Sequence, residues 1–218
     1  MRIYVEGGST GSASSTKSEK GYAGDSVETE NFRRSFRNLI GAEIYDRLGV
    51  KAKPCGSRGK AVEGFKNALL RGGELAILLI DSEDAVSEGM TCKDYLRREK
   101  GLALPESAKN EDLHLIVQCM ETWFLADVEA LAGYYKQGFN RNALPKSKEL
   151  EQVAKPDVLA ALKAATRQTQ KGRYQKWHGL ELLGLLDRKK LVGRCPHFAS
   201  LLTRIGELEA ASGCQTAP

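Results

Sequence analysis

The pattern of apolar and polar positions predicts alternating strands and helices over the first 135 residues. The most hydrophobic run covers residues 75–80 (LAILLI) and is bounded by glycine and aspartate. Such a short, continuous apolar run is typical of a strand buried on both faces of a parallel sheet. Further strands are predicted at residues 2–6, 50–55 and 113–120, and helices at residues 29–48, 60–70, 93–100 and 121–135. This order predicts an α/β fold with a helix-covered parallel sheet.

The strand pattern ends after Pro145, and the rest of the chain predicts helices. Residues 156–167, 174–186 and 196–211 have helical spacing, and Pro156 and Pro196 stand where a proline opens a helix. We therefore divide the chain into an α/β domain of residues 1–135 and a C-terminal α-helical extension of residues 136–218. Residues 9–26 are rich in Ser, Gly, Thr and Lys, which predicts a long loop after the first strand.

Composition and charge are those of an ordinary soluble protein. Apolar residues make up 41% and charged residues 28%, and the formal net charge of +5 permits a polyanionic partner without requiring one. No apolar run approaches the roughly 20 residues of a membrane span, and the N-terminus lacks a signal-peptide pattern. We therefore expect a cytoplasmic protein with no membrane partner. The five widely spaced cysteines favour free thiols over disulfides or a zinc site.

Three of the predicted strands end in acidic residues. Glu6 follows the first strand, Asp81 and Glu83 follow the third, and Glu121 follows the fourth. Ligands of parallel sheets bind at the carboxyl ends of the strands, and carboxylates gathered there repel one another unless a cation lies among them. Hard oxygen ligands suit Mg²⁺ or Mn²⁺. The sequence therefore predicts a Mg²⁺ or Mn²⁺ site formed by these four side chains.

The local spacing around these acids agrees with such a site. Asp81 and Glu83 are two residues apart, so in an extended segment their side chains would point the same way. Gly7 and Gly8 let the backbone turn sharply after the first strand and leave room for a phosphate. The alternative is that the acids are solvated loop residues or helix caps. Glu121 in particular also fits the first turn of the helix predicted there.

Three basic residues are candidates for phosphate contacts. Arg58 follows the second strand and is expected at the same sheet edge as the acids, where it could clamp a phosphate. Residues 171–178 (KGRYQKWH) mix cations with aromatic side chains, which suits a nucleic-acid groove. We predict Lys171 and Lys176 as catalytic or phosphate-binding cations. Alternatively, Arg58 is an exposed loop residue and the segment is a solvated helix start.

Several segments resemble the Toprim domain. A strand ending in Glu-Gly and, 75 residues later, a hydrophobic strand ending in Asp-x-Asp/Glu follow the Toprim pattern. The chain is also similar to a bacterial family of uncharacterised Toprim-like proteins, often encoded beside ABC-type ATPases in defence or mobile-element loci. The similar segments cover most of the chain: MRIYVEGG, CGSRG, LLIDSED, LIVQCMETWFLAD, ALPKS, KPDVL and KGRYQKWHGLELLGLLD. The resemblance implies a Toprim-like parallel sheet.

The resemblance also implies roles for three residues. Glu6 matches the Toprim glutamate, a general acid/base or metal ligand. Asp81 and Glu83 match the Asp-x-Asp pair that holds Mg²⁺, although the longer Glu83 replaces the second aspartate and leaves the number of metals open. The chain is too short for topoisomerase machinery, so the implied activity is that of the nucleases of the overcoming-lysogenisation-defect class. We therefore predict a Mg²⁺- or Mn²⁺-dependent nuclease of DNA or RNA, acting in antiviral defence with an ABC-type ATPase partner.

Two other functions remain open. Residues 11–18 (GSASSTKS) nearly fit the phosphate-binding loop G-x-x-x-x-G-K-S/T of nucleotidases, with residues 77–81 as a Walker B strand. However, Thr16 stands where a glycine is needed for the backbone to wrap a phosphate. The site could instead be vestigial in a regulatory or assembly subunit of an ATPase complex. A functional site should gain thermal stability from Mn²⁺ or Mg²⁺. The sequence leaves the oligomeric state open, a homo-oligomer included.

Overall fold

The computed structural model describes residues 1–7 and 27–213, and within them it contains a four-stranded parallel sheet. The strand order is β2-β1-β3-β4, so the apolar strand β3 is internal, as predicted. All three pairings are parallel, which confirms the α/β fold class. The strands are β1 (Arg2–Val5), β2 (Lys51–Pro54), β3 (Ala76–Asp81) and β4 (Leu113–Ile116).

Helices flank this sheet and make up the last third of the chain. None of the helices in these residues is long and apolar enough to cross a membrane. They are α1 (Val27–Ile40), α2 (Ala42–Arg47), α3 (Arg58–Arg71), α4 (Cys92–Arg98), α5 (Met120–Ala126), α6 (Val128–Tyr135), α7 (Lys155–Ala165), α8 (His178–Leu183), α9 (Arg188–Arg194) and α10 (Pro196–Gly213). Short 3₁₀ helices occupy Asn110–Asp112, Arg141–Ala143 and Leu150–Gln152.

Alternating side chains of the strands divide the core between the two faces of the sheet. On one face, Ile3 and Leu79 pack with α1 and with the C-terminal helices. On the other face, Tyr4 and Leu78 pack with α3 and α4. A Cβ at Gly64 of α3 would lie 2.6 Å from the Tyr4 ring. The glycine therefore permits the close approach of α3 to the sheet.

Two predicted helices are each divided by a break. The helix predicted over residues 29–48 ends at Ile40, and Gly41 adopts a φ of 102° before α2 begins. The helix predicted over residues 121–135 is divided at Asp127, whose Oδ1 accepts a hydrogen bond from the N–H of Ala130 at 3.1 Å and caps α6. Helical apolar spacing continues through both positions, so the pattern does not mark these breaks.

Two other predicted elements have different bounds in the structure, and one helix was not predicted. Strand β4 ends at Ile116 rather than at residue 120, because residues 117–119 connect it to α5. Helix α8 begins at His178 rather than at residue 174. Helix α9 was not predicted; Asp187 caps it by accepting a hydrogen bond from the N–H of Lys189 at 2.7 Å.

The C-terminal helices share a core with the sheet. Phe198 on α10 packs edge-on against Trp123 on α5, with ring centroids 5.0 Å apart, and both side chains are buried. Helix α10 also lies against β4, and α8 lies against α1. One apolar cluster therefore contains residues from both sides of the predicted boundary at residue 135.

Candidate functional site

The carboxyl ends of β1 and β3 bring Glu6 and Asp81 into contact. The two strands are neighbours, and the N–H of Glu6 donates to the carbonyl of Leu79 at 2.9 Å. The N–H of Asp81 donates to Glu6 Oε2 at 3.2 Å. Two acids that are 75 positions apart in the sequence therefore meet at one sheet edge, in the place that the strand ends predict.

Arg58 connects these two strand ends from the start of α3. The helix begins after Ser57, whose Oγ accepts a hydrogen bond from the N–H of Lys60 at 3.4 Å. Arg58 Nε donates to Glu6 Oε2 at 3.1 Å, and Nη2 donates to the carbonyl of Asp81 at 2.9 Å. Arg58 thus lies at the acidic edge, as expected. Because its Nε and Nη2 contact protein atoms here, its contact with a phosphate stays a prediction.

Glu83 contacts a second cation, Lys155, which the sequence analysis did not select. Glu83 adopts a φ of 71° beyond the end of β3, so the extended spacing expected from Asp81 to Glu83 is wrong. Its carboxylate lies 2.5 Å from Lys155 Nζ and 3.5 Å from Arg58 Nη2. Burial lowers the pKa of Lys155, but the hydrogen bond to Glu83 and the charges of Glu83 and Asp81 together outweigh it and leave that pKa raised. A charged ammonium is therefore held beside the acids.

One carboxylate oxygen of Asp81 is buried without a partner. Its Oδ1 has no hydrogen bond within the described part of the chain. Burial raises the pKa of Asp81 well above its ordinary value, and the charges of Glu6 and Glu121 raise it further. Burial also raises the pKa of Glu6, with Arg58 acting in the opposite direction. A cation among these groups would satisfy the open oxygen and reduce the repulsion.

A cavity of about 580 Å³ opens beside these carboxylates. Glu6, Asp81 and Glu121 form its acidic wall. Glu121 lies in the first turn of α5 and also lines the cavity. Its position is therefore consistent with both interpretations, a site acid and a first-turn acid. The other lining residues are Gly7, Phe32, Gly56, Met120, Phe124, Lys155, Tyr174, Gln175, Lys176, Trp177, Gly179, Leu180 and Leu183.

The structure separates the two predicted cations of segment 171–178. Among the described residues, Lys176 lines the cavity and Lys171 does not. Lys171 Nζ instead lies 4.2 Å from the ring centroid of Tyr134, in a cation–π contact. Lys155 and Lys176 are therefore the lysines that line the cavity in the described part of the chain.

Gly7 lines the cavity and adopts a φ of 88°. A Cβ at this position would meet no atom within 4 Å, so the backbone conformation rather than space requires the glycine. Its N–H donates to the carbonyl of Gly56 at 3.1 Å, and the N–H of Gly56 donates back at 3.1 Å. The N–H of Gly7 thus already has a hydrogen-bond acceptor within the protein. Gly8 and the phosphate-loop-like residues 11–18 lie outside the described residues.

Three residues of the site were missed from the sequence: Lys155, Gln118 and Tyr174. Gln118 connects the segment after β3 with the start of α7. Its carbonyl accepts a hydrogen bond from the N–H of Glu83 at 2.8 Å, and its Oε1 accepts one from the N–H of Lys155 at 3.0 Å. The hydroxyl of Tyr174 donates to Glu121 Oε1 at 3.0 Å. Burial and the charge of Glu121 raise the pKa of Tyr174, which keeps that donor protonated. Tyr174 had a chemical signal, since it lies in the cation-and-aromatic segment, whereas Gln118 and Lys155 lie in segments noted only for their resemblance.

The side chains at this edge have the chemistry of hard-cation ligands, but Glu6 and Glu83 are paired with basic groups. Carboxylate oxygens are the ligands that Mg²⁺ and Mn²⁺ prefer. Four carboxylates meet two contacting cations here, which leaves two formal negative charges: Glu6, Asp81, Glu83 and Glu121 against Arg58 and Lys155. As placed, no group of three or more His, Cys, Asp or Glu side chains in residues 1–7 and 27–213 is arranged to hold a metal. A bound ion would need Glu6 or Glu83 to exchange a basic partner for it.

Comparison with known proteins assigns the chain to a family. The family model described as Domain of unknown function (DUF4276) matches residues 14–206, a span that begins after β1 and includes Asp81, Glu121 and Lys155. None of the curated proteins and none of the solved structures matches the chain. Because the family model covers far more than half of its length, the chain belongs to the family described as Domain of unknown function (DUF4276).

Proposed function

We propose that the protein is a Mg²⁺- or Mn²⁺-dependent nuclease that hydrolyses phosphodiester bonds at the acidic edge of the sheet. The observation that carries the proposal is the buried, unpartnered Oδ1 of Asp81 among the like charges of Glu6 and Glu121, beside an open cavity. Such a buried polar atom is costly, and perturbed carboxyl groups in a cleft are concentrated at functional sites. The resemblance of the strand ends to the Toprim pattern supports the same chemistry.

Each charged side chain has a role that follows from its contacts. Asp81 and Glu121 face the cavity and offer oxygen ligands. Glu6, whose pKa is raised by burial, is suited to hold or accept a proton as a general acid/base, or to act as a further ligand. Arg58 is a positioning residue, because its guanidinium binds Glu6 and the backbone of Asp81. Lys155 fixes Glu83 and reaches the cavity wall.

A divalent cation, when bound, would polarise the scissile phosphate and lower the pKa of an attacking water. Lys155 and Lys176 line the cavity and would neutralise the non-bridging oxygens of the phosphate. Contacts to the phosphate backbone carry no base information, so both DNA and RNA fit. The cytoplasmic location, the ABC-type ATPase partner and the role in defence belong to this proposal, and the partner and the role rest on the resemblance alone.

Cleavage assays test the proposal. The purified chain is incubated with plasmid, single-stranded DNA and tRNA in Mn²⁺, in Mg²⁺ and in EDTA. We expect cleavage with metal and none in EDTA. Asp81→Asn and Glu6→Gln should lower the rate by at least about 100-fold, since an acid–base group contributes about 10²–10⁴-fold. Asp81→Asn should also lose the increase in Tm that Mn²⁺ causes in the wild type.

Asp84→Asn is the matched control. Asp84 lies in the same loop as Glu83, but its side chain is exposed, pairs with Lys100 at 3.1 Å and does not line the cavity. This variant loses the same charge as Asp81→Asn and should cleave at the wild-type rate. Metal-dependent cleavage that survives both Asp81→Asn and Glu6→Gln would contradict the proposal and point to another site or a contaminating nuclease.

A non-catalytic regulatory or assembly subunit is the second candidate, and one observation favours it. Glu6 is already paired with Arg58, and Glu83 with Lys155, so the edge can persist as an ion-pair network. For this function, neither Mn²⁺ nor Mg²⁺ would raise the Tm, and a stable complex with an ATPase would form instead. A metal-dependent rise in Tm would exclude this candidate.

A further inference from the structure

We propose that the cavity accepts the base of one unpaired nucleotide against Trp177, so that the substrate class is single-stranded nucleic acid rather than closed duplex. The proposal rests on the proposed function for the role of the carboxylates, although binding of the base does not require cleavage. Trp177 is 55% exposed, whereas Trp123, the other tryptophan of the chain, is 1% exposed. The exposed indole lines the same cavity as Glu6 and Asp81.

Trp177 is braced by a buried histidine. The rings of Trp177 and His178 are 3.8 Å apart at their centroids and inclined by 69°. His178 is fully buried, its Nδ1 lies 2.8 Å from the Tyr135 hydroxyl oxygen, and the same atom accepts from the N–H of Gln175 at 3.2 Å. Because these contacts fix the histidine ring, the indole beside it is preorganised and loses little freedom when a base stacks on it.

The aromatic wall and the acidic wall are joined by Tyr174. Its hydroxyl donates to Glu121 Oε1 at 3.0 Å, and its ring centroid lies 6.3 Å from that of Phe124. A base that stacks on Trp177, together with its phosphate, would therefore share the cavity with the carboxylates. Lys176, the neighbour of Trp177 in the sequence, also lines the cavity and would contact that phosphate.

The size of the cavity and the chemistry of stacking select an unpaired nucleotide. The volume of the cavity, about 580 Å³, lies within the range of roughly 300–1,000 Å³ that is typical of pockets enclosing one small molecule. Bases in a duplex are stacked on their neighbours and must be flipped out before a side chain can cover them. Stacking on an aromatic side chain strengthens single-strand binding by about 5- to 150-fold per base and tolerates every base.

Fluorescence quenching of Trp177 tests the proposal directly, because Trp123 is buried. The full chain in EDTA is titrated with a single strand on the order of eight nucleotides long, an abasic strand of equal length, a closed hairpin duplex and a mononucleotide. We expect saturable quenching by the single strand, in DNA or RNA form. The abasic strand, which has the same phosphates, should bind about 5- to 150-fold more weakly. The hairpin and the mononucleotide should not saturate at concentrations that saturate the single strand.

Two variants locate the base. Trp177→Leu should weaken binding of a labelled single strand by about 5- to 150-fold, measured by fluorescence anisotropy, and leave the Mn²⁺-dependent rise in Tm unchanged. Leu185→Ala is the matched control, because Leu185 is also exposed but lines the neighbouring cleft rather than this cavity. It should retain wild-type affinity.

Several results would overturn the proposal. Equal affinity for the abasic strand or the hairpin would show that the cavity does not bind an unpaired base. Tight quenching by a mononucleotide would show that the ligand is a free nucleotide rather than a nucleic-acid strand. A change in oligomeric state of Trp177→Leu, seen by sedimentation with single-strand affinity unchanged, would assign Trp177 to a protein interface. Absence of cleavage with single-strand-specific quenching retained would reject the nuclease and support the nucleotide site.

Discussion

At the scale of single residues, Asp81 lies in surroundings that disfavour its own charge. Its Oδ1 is buried and unpartnered, and the carboxylates of Glu6 and Glu121 act on it. Arg58 supports the position through the Asp81 carbonyl rather than through the side chain. Residues that lower stability in this way are typical of sites where a ligand offsets the cost.

Asp81→Asn should stabilise the metal-free protein at neutral pH. The raised pKa of Asp81 means that the folded chain holds this proton to higher pH than the unfolded chain. The stabilisation that the protonated Asp81 gives the folded protein is fully present below the ordinary carboxyl pKa of about 3.9. It is lost as the pH rises through the folded-state pKa. Asn has no charge that burial and the neighbouring carboxylates disfavour, and each unit by which a carboxyl pKa is raised costs about 1.4 kcal/mol at neutral pH. At about 2–4 °C per kcal/mol for a chain of this size, we expect a higher Tm of the variant at pH 7 in EDTA.

Thermal melts from pH 4 to pH 8 check this expectation. The difference in Tm between Asp81→Asn and the wild type should narrow as the pH falls toward 4, and Asp84→Asn should show no such trend. A variant that is less stable than the wild type at pH 7 would show that Asp81 is not a strained charge.

At the scale of elements, the break at Gly41 sets where α1 ends. Gly41 has a φ of 102°, its N–H donates to the carbonyl of Arg37 at 3.1 Å, and its carbonyl accepts from the N–H of Tyr45 at 2.9 Å. Both helix ends therefore keep their hydrogen bonds across the turn. Helix α1 also supplies Phe32 to the cavity.

Gly41→Ala should destabilise the protein by about 1–3 kcal/mol, because a side chain at this positive φ is strained. Its Cβ would also lie 2.7 Å from Arg188 Nη1, which would have to move. Gly206→Ala is the matched control: Gly206 lies inside α10 with no atom within 4 Å of an added Cβ. It should gain about 0.5–1 kcal/mol. Urea denaturation measures the free energy of unfolding of both variants. A Gly41→Ala variant as stable as the wild type would indicate one continuous helix.

At the scale of the whole molecule, the site is assembled from both parts of the chain. The N-terminal α/β part supplies Glu6 and Asp81 from strand ends, and the C-terminal helical part supplies Lys155, Tyr174 and Trp177. The apolar cluster that contains Trp123 and Phe198 holds the two parts together. The cavity therefore depends on packing between parts that the sequence pattern treats separately.

Phe198→Ala should destabilise both parts together by about 3–5 kcal/mol, the cost of removing a buried phenylalanine. Urea unfolding is followed by circular dichroism and by Trp123 fluorescence in a Trp177→Phe background. Both signals should shift to the same lower midpoint in one transition. Thr203→Ala, an exposed change on the same helix, should stay within about 0.5 kcal/mol. Two separate transitions would show that the helical part folds independently.

Much of the architecture could be predicted because it depends on local periodicity. The apolar run at residues 75–80 identified an internal strand, and acids after predicted strands identified Glu6 and Asp81, since parallel strands end at the same edge. The helix breaks and α9 could not be predicted in this way. Gly41 and Asp127 act through backbone conformation and capping, to which apolar spacing is insensitive.

By itself, the sequence determined the fold class and the acidic edge, because strand burial and strand direction are encoded in short segments. Only the tertiary structure decided which charges meet. It placed Lys155 against Glu83, Tyr174 against Glu121 and Lys171 away from the cavity. The first two of these contacts join residues 72 and 53 positions apart. They arise when helices of the last third pack on the sheet, and no local pattern specifies that packing.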